Sequence, residues 1–218
     1  MRYAQIVLFD GFDPLDVIAP FEVLAAAADE VGSDLVVELV CAGEPRSFVS
    51  GVRGIPLPAT STLDPNKPGY VIIPGAAGPV DGDPDEVDTI PVVLARASES
   101  AIIPLVQQAL DNPEVVVATV CGGSLVLGMA GIIEGRTAVT HTLGNDVLEA
   151  AGVNVVRGRV VDDGDFVSGG GVTSGLDLGL HLATREFGPN AAYAVEKLFE
   201  YERRGTAWYT DRQLATAV

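Results

Sequence analysis

Short runs of consecutive apolar residues, rich in β-branched side chains, alternate along the chain with longer stretches in which apolar residues recur at helical spacing. The short runs have the length and composition of strands buried on both faces of a sheet; they are Tyr3 to Phe9, Leu35 to Cys41, Tyr70 to Ile73 and Val115 to Val120. Stretches with helical spacing begin at Asp16, Ala101, Ser124 and Val172. Strands that alternate with helices predict an α/β fold built on a mainly parallel sheet.

Residues 153–168 depart from this alternation. They contain short β-type runs separated by Arg157-Gly158 and Asp163-Gly164, which predict a β-hairpin appended to the main sheet. The glycines at 152 and 188 are typical of helix ends, and "NAAYAVEKLFEYERR" predicts a final amphipathic helix. No repeat or linker interrupts the chain, so we expect one domain over residues 1–218.

The charge of the chain is strongly negative, with 30 Asp and Glu residues against 13 Lys and Arg, a formal net charge of −17. Phosphate backbones and anionic membranes would be repelled, which argues against nucleic-acid or membrane partners. We expect either a salt-adapted protein, in which counterions screen the self-repulsion, or an ordinary acidic one. Carboxylates crowd one loop in particular, at Asp81, Asp83, Asp85, Glu86 and Asp88.

No apolar run reaches the roughly 20 residues that span a bilayer, and the first residues lack a signal-peptide pattern, so we expect a cytoplasmic protein. The chain has two cysteines and two histidines, without the spacing of a zinc site. We therefore expect no metal, and any cysteine chemistry would use a free thiol.

Cys121 stands where a buried strand meets two glycines and then a helical pattern, in "ATVCGGSLVLGM". A strand–turn–helix of this kind is the geometry of a nucleophile elbow, which places the side chain at the carboxyl end of the sheet. The start of the helix would favour the thiolate, and the Gly122 N–H could donate to an oxyanion. The alternative is a buried core cysteine, which is the interpretation we favour for Cys41 inside its strand.

Two further loops follow predicted strands at the same edge of the sheet. Gly75 begins a loop with bare backbone in "PGAAG", whose N–H groups could approach a ligand closely. Asp13 is a candidate N-cap, and Asp16 lies at the amino end of the helix that follows. A carboxyl held against a thiolate would have a raised pKa and could carry protons, although an ordinary turn and an ordinary cap are the simpler alternatives.

The two histidines and a run of glycines are weaker candidates. His181 lies on a largely apolar helix, which favours a packed core residue, whereas His141 ends a short strand and could approach Cys121. Gly169 to Gly171 lack the lysine of a phosphate-binding loop and are typical of a tight strand–helix turn.

Taken together, "DPLDVIAPFEVL", "VIIPGAAG", "ATVCGGSLVLGMAGIIEGRTAVTH" and "SGGGVTSGLDLGLHL" resemble the ThiJ/PfpI superfamily, the cysteine branch of the class I glutamine-amidotransferase-like fold. The pattern is most similar to isocyanide hydratases and to the amidotransferase-like domains of AraC-type regulators. The resemblance implies a three-layer α/β sandwich with a flavodoxin-like parallel sheet, helices on both faces, and a homodimer.

The resemblance also implies roles for individual residues. Cys121 corresponds to the nucleophile, Asp16 to its acidic partner, and the N–H groups near Gly75 and Gly122 to oxyanion donors. In isocyanide hydratases the cysteine forms a thioimidate that water hydrolyses to an N-substituted formamide, without a cofactor. Those enzymes have threonine directly after the cysteine, where this chain has Gly122.

Two alternatives to isocyanide hydration remain open. One is a glyoxalase- or deglycase-like activity on small aldehydes. The other is a non-enzymatic redox sensor, in which Cys121 is oxidised to a sulfinate that Asp16 stabilises.

Overall fold

A computed structural model describes residues 1–83 and 87–210 of the chain. Its helices are α1 (Pro14–Val31), α2 (Ile90–Ser98), α3 (Ile102–Leu110), α4 (Gly123–Met129), α5 (Asn145–Ala150), α6 (Ser174–Phe187) and α7 (Pro189–Leu198). Its strands are β1 (Tyr3–Val7), β2 (Val36–Cys41), β3 (Ser47–Val49), β4 (Pro56–Pro58), β5 (Ser61–Thr62), β6 (Gly69–Ile73), β7 (Val115–Val120), β8 (Thr137–Ala138), β9 (Asn154–Val155), β10 (Val160–Asp162), β11 (Phe166–Gly169) and β12 (Trp208–Tyr209). Asp85 and Glu86 of the predicted acidic loop lie outside the described residues, as do residues 211–218 of the predicted domain, whose bounds remain a prediction.

The core of the fold is an eight-stranded sheet in the order β5-β2-β1-β6-β7-β11-β10-β12. Every neighbouring pair is parallel except β10 with β11. The central strand β6 is buried along its whole length, which is why its residues form an unbroken apolar run. Helices α1, α6 and α7 pack together as one layer, and α2, α3, α4 and α5 as another. The predicted three-layer, mainly parallel α/β architecture is confirmed.

The appended hairpin is shorter than predicted. Strands β10 and β11 form it and turn at Asp163-Gly164, where Gly164 adopts φ 89°. Strand β9 instead pairs with β8 in a separate two-stranded sheet, so Arg157-Gly158 is not a hairpin turn. The final helix also ends early, at Leu198, because Glu200 takes a left-handed conformation with φ 50°.

Gly188, His181 and Cys41 have the positions that the sequence predicts. Gly188 ends α6 with φ 86°, as predicted. His181 is buried and its Nε2 lies 2.7 Å from the Asp162 carboxylate, which confirms the core interpretation. Cys41 is likewise buried. Within the described residues no single helix is long and apolar enough to cross a membrane; α2 and α3 taken together meet those criteria but bend by 64° at their junction.

Candidate active site

Cys121 occupies a strained turn between β7 and α4. Its φ of 54° lies in the left-handed region, which costs an L-residue roughly 1–2 kcal/mol. Hydrogen bonds hold the backbone there from both sides. The Cys121 N–H donates to the carbonyl oxygens of Gly169 and Gly170, at 3.0 and 2.9 Å, and its own carbonyl accepts from the Thr140 hydroxyl at 2.7 Å. The predicted elbow is therefore present, with Cys121 at the carboxyl end of a central strand.

Glycines let the loop after β6 press against this elbow. A Cβ added to Gly75 would lie 2.6 Å from the Gly122 nitrogen and 2.9 Å from Asp16 Oδ2. A Cβ on Gly123 would lie 2.2 Å from the carbonyl oxygen of Ile73. No side chain fits at either distance, so glycine at both positions is required for the two loops to meet.

Asp16 lies beside the same elbow, in the first turn of α1. Asp13 caps this helix by accepting the Leu15 N–H at 2.9 Å, which confirms the predicted N-cap. The Asp16 side chain is completely buried and its carboxyl hydrogen-bonds to the Cys121 sulfur. Its Oδ2 accepts the Gly75 N–H at 2.9 Å. This N–H, expected to serve as an oxyanion donor, instead holds Asp16 in place.

The pKa of Asp16 is raised, as the sequence predicts, and the pKa of the Cys121 thiol is raised as well. Burial raises the pKa of Asp16 well above its ordinary value, and the negative charge of Asp13 adds to the rise. Burial also raises the pKa of the Cys121 thiol, with the Asp16 charge as the next cause. The N–H groups of Gly122 and Val172 hydrogen-bond to the sulfur and oppose this rise without overcoming it. The Gly122 N–H at the start of α4 thus favours the thiolate, as the sequence predicts, but burial has the larger effect on the pKa of the thiol.

A cavity of about 410 Å³ opens onto Cys121. Most of the residues around it are apolar, and none of the described ones is Lys or Arg; they are Asp13, Ala76, Ala77, Gly78, Val80, Ile90, Pro91, Leu94, Cys121, Gly122, Leu125, Met129, His141, Leu143, Gly144, Val147 and Val172. His141 thus shares the cavity with Cys121, as the sequence allowed, and its Nδ1 accepts the Leu143 N–H at 3.2 Å. The cavity would hold a neutral, largely apolar molecule beside the sulfur.

A second cavity of about 460 Å³ lies beside the ends of β1 and β2. Its wall includes the ion pair between Asp10 and Arg46, and it contains none of the four predicted site residues. We therefore assign the candidate site to the smaller cavity. Among residues 1–83 and 87–210, no group of three His, Cys, Asp or Glu side chains could hold a metal ion.

Comparison with known proteins identifies the family of the chain. A sequence model of the DJ-1/PfpI family matches residues 2–185. The chain belongs to the DJ-1/PfpI family. It is 34% identical over 200 residues to an isonitrile hydratase of Pseudomonas putida, covering 89% of this chain and 76% of that one. It is 25% identical over 166 residues to a deglycase of Thermococcus kodakarensis, covering 75% and 86% respectively.

A solved structure of a ThiJ/PfpI family protein from Pseudomonas syringae has the same fold. It superposes with a TM-score of 0.76 at 21% identity, covering 94% of this chain and 76% of that one.

The sequence did not identify two features of this DJ-1/PfpI site. Helix α2 supplies Ile90, Pro91 and Leu94 to the cavity wall. The sequence does contain the pattern of this helix, because apolar residues recur at helical spacing at Ile90, Val93, Leu94 and Ala97. Gly169 to Gly171 are predicted as a tight strand–helix turn only, yet the loop of residues 169–173 supplies two carbonyls and one N–H to Cys121.

Proposed function

We propose that this protein is a cofactor-independent enzyme that hydrates an isocyanide to an N-substituted formamide, with Cys121 as nucleophile and Asp16 as proton carrier. The observation that carries the proposal is a fully buried carboxyl, with a raised pKa, hydrogen-bonded to a cysteine in a strained elbow at an apolar cavity. The 34% identity to an isonitrile hydratase supports the same reaction.

The pair of raised pKa values suits an addition that needs a proton as well as a nucleophile. The Asp16 carboxyl lies between two groups, because its Oδ2 accepts the Gly75 N–H and the same carboxyl hydrogen-bonds to the Cys121 sulfur. A protonated Asp16 has no charge to oppose the thiolate and can donate to it. Proton exchange between Asp16 and Cys121 then generates the nucleophile only beside bound substrate.

The proposed hydration has two steps, formation of a thioimidate and its hydrolysis. The sulfur forms a bond to the terminal carbon of the isocyanide, and the thiol proton, relayed through Asp16, ends on that carbon to give a thioimidate. Water then adds to the same carbon, one of its protons moves to the nitrogen, and the C–S bond breaks. The remaining proton returns to the sulfur through Asp16, which leaves the formamide and the free thiol.

A glyoxalase- or deglycase-like activity on small aldehydes is the second candidate, favoured by the similarity to the archaeal deglycase. The lining of the cavity supports the isocyanide over the aldehyde. Its walls are mostly apolar and the nearest charged side chains are carboxylates, which suits a neutral isocyanide with an apolar substituent better than a small hydrated aldehyde.

The test is to supply tert-butyl isocyanide and methylglyoxal separately to the purified protein and to follow each product by NMR. We expect the formamide to form, and to be lost in Cys121→Ala and in Asp16→Asn. The matched control is Cys41→Ala, which removes the other buried thiol and should remain active. Lactate from methylglyoxal with no loss of isocyanide would establish the second candidate instead.

We also propose a homodimer, as the family resemblance implies. Sedimentation equilibrium of the purified protein tests this directly, and a single species of 22.6 kDa would contradict it.

A further inference from the structure

Outside the cavity, one arginine is connected to the nucleophile through the loop of residues 169–173. This loop joins β11 to α6 and contacts Cys121 in two ways. The carbonyls of Gly169 and Gly170 accept the Cys121 N–H, and the Val172 N–H hydrogen-bonds to the sulfur. The loop thus fixes both the backbone of the nucleophile and one donor to its thiolate.

Three consecutive glycines begin this loop, so its own sequence gives it little rigidity. Arg159 holds it at two points on either side of Val172. Its carbonyl accepts the Gly170 N–H at 2.9 Å, and its guanidinium donates to the Thr173 hydroxyl at 3.1 Å. Val172 lies between these two attachments.

The guanidinium is itself fixed by a buried carboxylate. Its Nε lies 2.6 Å from Oδ2 of Asp177, which is 4% exposed and belongs to the first turn of α6. Asp177 also accepts from the Tyr201 hydroxyl at 2.9 Å and from the Arg204 N–H at 2.7 Å. The planar guanidinium can donate to a carboxylate and a hydroxyl at once, which a lysine ammonium does with less fixed geometry.

We propose that Arg159 is a positioning residue for Cys121, which acts by holding the loop of residues 169–173 so that the carbonyls of Gly169 and Gly170 keep the Cys121 backbone in place and the Val172 N–H faces the sulfur. The inference rests on the function proposed above, but it can be tested on the thiol itself. The titratable groups that face the sulfur are Asp13 and Asp16 from α1, with His141 in the same cavity, and none of them is altered in the test.

The experiment measures the rate of Cys121 alkylation by iodoacetamide against pH, with the modified residue assigned by mass spectrometry. In Arg159→Met we expect the midpoint to rise by about one pH unit, because a donor to the thiolate is lost. The turnover number for isocyanide hydration should fall about tenfold with less than a twofold change in KM. Thr173→Val removes only the hydroxyl that accepts from Arg159. It should raise the pH midpoint of Cys121 alkylation by less than Arg159→Met does.

The matched control is Arg185→Met, which removes an arginine paired with the buried Asp162 at the other end of α6. The pH midpoint of Cys121 alkylation in Arg185→Met should equal that of the wild type. Unchanged midpoints in folded Arg159→Met and Thr173→Val would overturn the positioning role, as would an equal shift in the control. If Arg159→Met does not fold, the alkylation midpoint of Thr173→Val alone tests the positioning role. Shifted midpoints without any isocyanide turnover would retain the positioning role and refute the proposed function.

Discussion

Replacing Gly75 with alanine tests the closeness of the two loops at the candidate site. The added Cβ would lie 2.6 Å from the Gly122 nitrogen, where ordinary contacts begin at 3.4 Å, so the loops must separate by about 0.8 Å. The contacting atoms are backbone and the buried Asp16 carboxyl, which have little freedom to move. Overpacking of this kind costs about 1–3 kcal/mol, equivalent to a fall in melting temperature of about 2–4 °C per kcal/mol for a domain of this size.

The effect on catalysis should exceed the effect on stability. A displacement near 1 Å between reacting groups lowers rates by about 100-fold, so we expect that loss in kcat/KM for isocyanide hydration. The control is Gly43→Ala, where a Cβ meets nothing within 4 Å and the backbone needs no positive φ. Thermal unfolding and hydration should be measured on both variants. A Gly75→Ala protein with the melting temperature and activity of the wild type would refute the close packing described here.

Three further outcomes are expected. The pKa of Asp16 is raised above its ordinary value of 3.8, so the wild type loses stability as pH rises from about 4 through the folded pKa; Asp16→Asn should therefore gain melting temperature at pH 8 and show no gain at pH 4. Gly122→Ala should cost less than about 1 kcal/mol in a denaturant titration, because the tight contacts of its Cβ are with the flexible tip of Leu94, at 3.0 and 3.2 Å, while the Gly75 Cα at 3.5 Å is at ordinary contact distance. Molar potassium chloride should raise the melting temperature by screening the net charge of −17, and no rise would contradict salt adaptation.

Much of this architecture could be predicted because its physical causes are local in sequence. Strands buried on both faces require unbroken apolar runs, and Val115–Val120 shows one. The order strand, cysteine, two glycines and helix likewise places Cys121 at the edge of the sheet. Short strands such as β5 and β12 could not be predicted, because two-residue pairings are determined by neighbouring strands rather than by their own composition.

The chemistry of the thiol could not be predicted for a related reason. The pKa of Cys121 depends on how deeply the surrounding loops bury it and on whether Asp16 is charged. Neither quantity is encoded in the residues adjacent to the cysteine. The two acceptors of the Cys121 N–H and one donor to its sulfur come from the loop of residues 169–173, which begins with three glycines and is distant from the cysteine in the sequence.

The hydrogen bonds to the Cys121 backbone have a consequence for synthesis of the chain. The carbonyls that accept its N–H belong to Gly169 and Gly170, which leave the ribosome long after the cysteine itself. Until they arrive, β11 cannot pair with β7, and the Cys121 N–H lacks both carbonyls that accept it in the folded protein. The hydrogen-bonded turn that holds the nucleophile is therefore completed only when β11 joins the sheet, late in the synthesis of the domain.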